Sequence, residues 1–533
     1  MKRNIVRHLC VMLMTLVAVS CVNDSQNQST PDPVWEEATS VLYIDIDQIH
    51  SKSNIAALDL KAMLEGEVQH IDPEAQPMID LVTNIIRDPK SSGIAVDKPA
   101  YVANRVVEGV ISMPQITLSA EIDDVAKFDS TLKAFAGDLK SVGLSIEGDK
   151  RIINVDKGVI LGYDSRRLVM IMCEAEGFNH RQELDEQMAY APADMSRFKG
   201  HDAALYTSIK RSLDLALSSD TERLPEELDE VMLHYEELFL ADANIICALT
   251  FEDGAAVVTS DINGITERVS KLFKASNGKL LRLLPPSPIA ILNLGINGEV
   301  VADTLDTIVD VIMAAKGGQG GMFNEINIFK NVALGVISSI DGDLMLALSD
   351  AQGKQIEDEF YGSRLVFTTA NATVAAEVKD EYIINNIETF GGGFLTKRGD
   401  KRYSAEMFGN TINIGQQDKL FYVGVNNTPD AKSRSAANEE WSNDVNGSYA
   451  YAMIDFNRLV NSGFGRAALS GYYSSASQYN VQMLKLAVNN LERIYFLVNG
   501  GDSSLHSELS ITLKDHSKNS LQQLVEIVYN QSK

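Results

Sequence analysis

At 533 residues, 45% hydrophobic and 23% charged, the chain has the composition of a folded globular protein with room for about two to four domains. A formal net charge of -26 without a basic cluster argues against nucleic acid or anionic lipid as a partner. After the first twenty residues no apolar run approaches membrane-spanning length.

The chain opens MKRNIVRHLCVMLMTLVAVSC. Lys2, Arg3 and Arg7 form a positive n-region, and residues 9–19 are an apolar stretch too short for a bilayer and right for a signal h-region. The stretch ends Ala18-Val19-Ser20-Cys21, which resembles the lipobox of bacterial lipoproteins, with Ala18 where Leu is usual. The resemblance implies that residues 1–20 are a signal peptide and that Cys21 is lipidated and becomes the mature N-terminus. The other reading is an ordinary secretory signal with Cys21 incidental. Acyl chains on one cysteine anchor stably, because each buried methylene contributes about 0.8 kcal/mol. Loss of the leader would remove three cations and no acid, deepening the negative charge. Residues 21–40 are polar and proline-bearing, and are expected to be a flexible tether with a reach of roughly 20 Å.

From residue 41 the chain repeats itself. An opening strand that turns into a helix occurs four times: SVLYIDIDQI, AALYTSIKRSL, IAILNLGING and YAYAMIDFNRL, from Ser40, Ala203, Ile289 and Tyr449. A closing strand-to-helix step also occurs four times, from Ile116, Ala256, Ala372 and Leu505. VILGYDSRRLVMI and TINIGQQDKLFYV align without a gap, matching Leu168 with Leu420 and Arg167 with Lys419. The spacing between matches is about 250 residues, as a tandem duplication requires. Pro285, Pro286 and Pro288 mark a stiff boundary. The expected fold class is α+β, in two tandem homologous halves with mostly antiparallel sheets and helices packed on one face. The first half is 41–284, with units at about 41–175 and 200–284; the second is 287–531, with units at about 287–426 and 447–531. Asp253-Gly254 and Asp341-Gly342 are expected at hairpin turns.

Asp45 and Asp47 resemble a carboxylate pair for a metal or for acid–base work. Across the four opening strands, however, the Asp47 position becomes Lys210 in one copy, which rules out repeated metal ligation. Both are expected to serve the start of a helix. Cys173 and Cys247 sit in strand-like apolar contexts and are expected to be buried thiols, with a disulfide between them as the alternative.

No sequence pattern for catalysis stands out. Eight histidines are scattered without metal spacing, and HExxH, GxSxG and phosphate-loop motifs are absent. His180 with Glu183 reads as surface charge, and Ser130 with Lys133 as a helix surface. Gly317-Gly318-Gln319 resembles the release-factor tripeptide but reads as a loop after a helix from Gly298 to Ala315. Catalytic residues, metal ligands and cofactors are therefore expected to be none. Tyr472, Tyr473 and Tyr479 form a tyrosine-rich stretch that could hold a protein or glycan partner. A polar connector joins the two units of each half, residues 176–194 in the first and 426–444 in the second, and Trp441 either joins the tyrosines or docks the second connector on the core.

YIDIDQIHSKS followed by RDPKSSGIAVDKPAYV, with the lipobox and the overall length, resembles an uncharacterised lipoprotein family of Bacteroides and related bacteria, a domain of unknown function. The resemblance implies an outer-membrane, lipid-anchored protein on the periplasmic or cell-surface face, and it brings no activity. The expected function is a non-catalytic binding or assembly protein that meets the membrane through its N-terminal lipid and binds no nucleic acid. The alternative is an envelope hydrolase with a site built from dispersed residues.

Overall fold

The computed structural model describes residues 37–531 apart from 59–75, 108–112, 137–143, 157, 190–193, 213–242, 286, 316–321, 351–354, 361–362, 369–370, 392, 408–409, 430–434, 464, 467–468, 471–477 and 502. The chain forms two compact units. Unit 1 gathers residues before 224 with 242–263 and 516–533, and unit 2 holds 224–241 and 264–515. Both mix helices with antiparallel sheet, as the sequence led us to expect.

Unit 1 contains β1 (Ser40–Ile44), β2 (Ala100–Val107), β3 (Met113–Glu121), β4 (Ser145–Glu147), β5 (Lys150–Asp156), β6 (Val159–Tyr163), β7 (Arg167–Met172), β8 (Ala203–Ser208), β9 (Asn244–Glu252) and β10 (Ala255–Asn263). They pair antiparallel in the order β10-β9-β8-β1-β2-β3-β7-β6-β5-β4. Alternation places Val41 and Tyr43 on one face, where they pack with Tyr101, Ala204 and Phe198. On the other face Ile122, Leu168 and Tyr163 meet Phe128 of the helix Val125–Ala136. Ile152, Ile160, Val169 and Ile171 pack against Leu184 and Met188 of the helix His180–Ala189, so the polar first connector carries its own buried anchors. The C-terminal helix Ser520–Gln531 belongs to this unit: Gly254 N–H donates to the Lys518 carbonyl at 2.9 Å, and Ser520 Oγ to that of Ala255 at 2.7 Å.

Unit 2 contains β11 (Ala290–Asn297), β12 (Ile340–Ser349), β13 (Gln355–Phe360), β14 (Ser363–Thr368), β15 (Asn371–Val378), β16 (Thr396–Gly399), β17 (Arg402–Met407), β18 (Asn410–Gln417), β19 (Leu420–Val425), β20 (Ala450–Asp455), β21 (Leu491–Gly500) and β22 (Ser504–Leu513). Its sheet reads β22-β21-β20-β11-β12-β15-β19-β18-β17-β16, all antiparallel, and β13 pairs with β14 alone. One face packs Ile291, Met345, Ala375, Tyr422, Tyr451 and Met453 against Leu280, Leu281, Leu284, Ala436, Trp441 and Val445. The sequence halves cut the chain at the proline-marked point instead. The leucines just before the prolines are buried in this core, which is why residues 264–284 belong to unit 2.

Each of the eight opening and closing runs contains a strand, and the helix Gly298–Ala315 has the bounds read from the sequence. Asp253-Gly254 does form the β9–β10 turn, with Gly254 at φ +71°. Asp341-Gly342 does not form a hairpin. A helix, Met322–Ser339, leads straight into β12, and Gly342 at φ +136° sits in a bulge between Ile340 and Leu344. The β6–β7 and β18–β19 hairpins also correct the gapless alignment. Asp164 N–H bonds the Arg167 carbonyl, leaving a two-residue turn Ser165-Arg166, and Gln417 faces Leu420 across the turn Asp418-Lys419. Matched turn for turn, Arg166 corresponds to Lys419, and Arg167 to Leu420.

Candidate functional site

The register of unit 2 brings large apolar side chains together on one sheet face. Leu292 of β11 lies opposite Leu346 of β12, and Leu346 opposite Val374 of β15. On the other side Leu292 lies opposite Ala452 of β20, and Ala452 opposite Phe496 of β21, with Ile454 two residues on. Opposed residues, and residues two apart, share a face. Leu346 is 50% exposed, Ile454 41%, Leu292 39%, and Val374 and Phe496 38%. Scattered exposed leucines are ordinary, but five neighbours on one face form a patch of the kind that binds something.

The same face is apolar along its length. Leu294 and Ile296 continue it on β11, Leu344 and Leu348 on β12, and Ala372, Ala376 and Val378 on β15. At one end Ile383, Ile384 and Ile387 of the helix Tyr382–Gly391 close over Ile296, Leu344 and Val378. Away from that end, Leu292, Leu346, Val374, Ile454 and Phe496 stay part-exposed. In unit 1, Leu42, Val102, Leu118 and Leu205 form a corresponding row and are only half-buried. Sequence reasoning missed this site because Ile291 and Leu292 are both apolar although they lie on opposite faces of β11. Nothing local says which face lacks a cover.

The polar clusters of the interior are engaged structurally. Asp202, fully buried, takes Lys52 Nζ at 2.7 Å and the Phe251 N–H at 2.6 Å. Glu183 takes Gln115 Nε2 at 3.2 Å and Arg105, and His180 Nε2 meets the Cys173 carbonyl at 2.7 Å rather than Glu183. In unit 2 a strap at residues 276–279 lies on the strand ends. Gly278 N–H donates to Asp343 at 3.2 Å, Asn277 Nδ2 to Glu377 at 2.6 Å, and Lys279 pairs with Glu377 at 3.1 Å. Burial, and then the neighbouring Glu377, hold the Asp343 carboxyl above the usual carboxylate range. Gly295 is required beneath this strap, since a Cβ there would meet the Lys274 carbonyl oxygen at 1.9 Å. Among the described residues no group of three His, Cys, Asp or Glu could hold a metal, and no helix is long and apolar enough to cross a membrane.

Asp45 caps the helix Ile46–Ser53, accepting the Gln48 N–H at 2.9 Å, and Asp455 caps Phe456–Asn461 in the same way at 2.8 Å. Asp47 lies in the first turn, where a negative charge complements the helix dipole. Burial, followed by the Asp45 charge, pushes the Tyr43 phenol up to about 12. Ser130 Oγ bonds the Ala126 carbonyl within its exposed helix surface. Cys173 is a buried free thiol, so the 173–247 disulfide does not form, and Cys247 is buried in β9.

Of the sequence candidates, Trp441 is 7% exposed and stacked on Tyr451, with ring centroids 5.8 Å apart and planes 9° from parallel. It docks the second connector on the core, and burial removes it from the partner-binding set. Cys21, Tyr472 and Tyr473 lie outside the described residues, as does Gly317-Gly318-Gln319. Tyr479 falls in the helix Gln478–Asn490, apart from the apolar patch in sequence.

Two solved structures show limited similarity. "Structure of crystal form IV of TP0453" has 9% identity and a TM-score of 0.24, covering 43% of this chain and 77% of its own. "Structure of crystal form I of TP0453" has 11% identity and a TM-score of 0.23, covering 44% of this chain and 80% of its own. No curated protein matches. A family model matches residues 33–521, nearly the whole chain, and the protein thus belongs to the family described as Domain of unknown function (DUF4836).

Proposed function

We propose that this chain is a non-catalytic binding protein of the bacterial outer membrane, tethered by a lipid on Cys21, whose unit 2 holds an acyl-chain ligand along its open sheet face. The observation that carries the reading is the contiguous exposure of Leu292, Leu346, Val374, Ile454 and Phe496. An acyl chain is the occupant such a face suits, because the five part-exposed side chains are all apolar. Covering the exposed part of five side chains, at about 2 kcal/mol per fully buried one, contributes roughly 4 kcal/mol. The leader and lipobox support the anchor, as does the likeness to Bacteroides lipoproteins on which the sequence reading rests.

The two halves are read as copies of one module, with helices on both faces of the first sheet rather than on one. Ten strands occur in the same order in each unit, and the turns between β4 and β5 and between β16 and β17 share Gly-Asp-Lys-Arg, at 148–151 and 399–402.

The test is a fluorescence titration of the purified full chain with the neutral apolar probe N-phenyl-1-naphthylamine. Wild type should bind saturably, dodecanoate should displace the probe, and Leu346→Asp with Val374→Asp should abolish binding while far-UV circular dichroism is kept. Undiminished probe binding in that double variant would refute the proposal.

A further inference from the structure

We infer that Arg167 in unit 1 is the recognition residue of a small-anion site, taking a carboxylate or a phosphate through its guanidinium. The inference is independent of the apolar face, which belongs to unit 2. Arg167 opens β7 and is 3% exposed, and its Nη2 is buried without a hydrogen-bond partner. A guanidinium does not shed its proton, so the interior must compensate a permanent charge or carry a large desolvation cost.

Among the described residues no neighbouring acid hydrogen-bonds the guanidinium, and the Asp164 charge acts on it only through space. Asp164 spends its carboxylate elsewhere: Oδ1 accepts the backbone N–H of Arg166 at 2.7 Å and of Arg167 at 3.1 Å, and Oδ2 accepts Arg166 Nη2 at 2.8 Å. Glu121 faces Arg167 across the ladder and makes no ion pair with it. Tyr101 stands close enough for its phenol to interact with the charge. Burial, with a smaller push from the neighbouring Arg166 charge, pulls the Arg167 guanidinium below its ordinary value.

The fold does not demand an arginine at this position. In unit 2 the turn-matched residue is Leu420, which packs against the core with Tyr422. Val169 and Ile171, on the same face of β7 as Arg167, are likewise core. An apolar side chain would satisfy the packing at no electrostatic cost. A buried, planar, two-donor cation is the group that recognises carboxylate and phosphate oxygens in a dry setting.

Hydrogen exchange of the β7 amides, on the full chain, tests the inference. Wild type and Arg167→Met are titrated separately with sodium chloride, sodium acetate and sodium phosphate. Wild type should show saturable protection with acetate, phosphate or both, and the variant's apparent affinity should be about tenfold weaker or worse. A response to acetate alone assigns a carboxylate, and one to phosphate alone a phosphate. Identical responses in wild type and variant, or no saturable response to either oxyanion, would overturn the site. Should Arg167→Met fail to fold, phosphorus-31 line broadening of inorganic phosphate and carbon-13 broadening of acetate by wild type decide the matter. Broadening that saturates supports the site, and its absence with both anions overturns it.

Discussion

Replacing Trp441 with alanine separates packing from partner binding most sharply. The side chain is 7% exposed and belongs to a cluster with Leu280, Leu284, Met345, Tyr451 and Met453. Truncation of a buried tryptophan costs about 3–5 kcal/mol through lost transfer energy and the cavity left behind. The parallel contact with Tyr451 adds about 0.5–1.5 kcal/mol beyond area. In a domain of this size each kcal/mol moves the melting midpoint by about 2–4 °C, so unit 2 should melt roughly 7–25 °C lower. Trp441→Phe should lose far less, because it keeps much of the ring and deletes an indole N–H that is buried without a partner. Calorimetry, with hydrogen exchange to assign the transition to residues 264–515, is the assay. A loss below about 1 kcal/mol for Trp441→Ala, or equal losses for the two variants, would refute the argument that Trp441 is core.

Two further outcomes follow from single side chains. Asp45→Ala should cost about 1 kcal/mol, because the Gln48 N–H loses its acceptor, and Asp45→Ser should recover much of it; thermal unfolding of the pair checks this. Asp343 has a folded carboxyl raised above its unfolded value, so its contribution to stability is fully present below the unfolded value and is lost as pH rises through the folded one. The stability of wild type relative to Asp343→Asn should therefore fall as pH rises across that window, and a flat or rising difference in denaturant midpoints would contradict the assignment.

Much of the fold was legible locally. The repeated opening runs SVLYI and IAILNLGI mark β1 and β11, and the Asp at the strand end marks the cap that Asp45 and Asp455 both make. Turn chemistry was legible at Gly254, where a hairpin needs positive φ, and misleading at Gly342, where the same dipeptide makes a bulge after a helix. The Arg167 match was misread because a gapless alignment cannot see which residues close a turn. Trp441 could be named as either core or contact from its sequence, and only the leucines that cover it decide.

The sequence by itself determined which segments are strands and helices, because periodicity and caps act over a few residues. Tertiary structure alone decided what those segments cover. It set the division of the chain into units, placing 516–533 with the first and 264–284 with the second, since burial depends on contacts between residues far apart in the chain. It also left five apolar side chains on one face of unit 2 part-exposed and enclosed one arginine of unit 1, because exposure is a property of the assembled layers and no residue carries it alone.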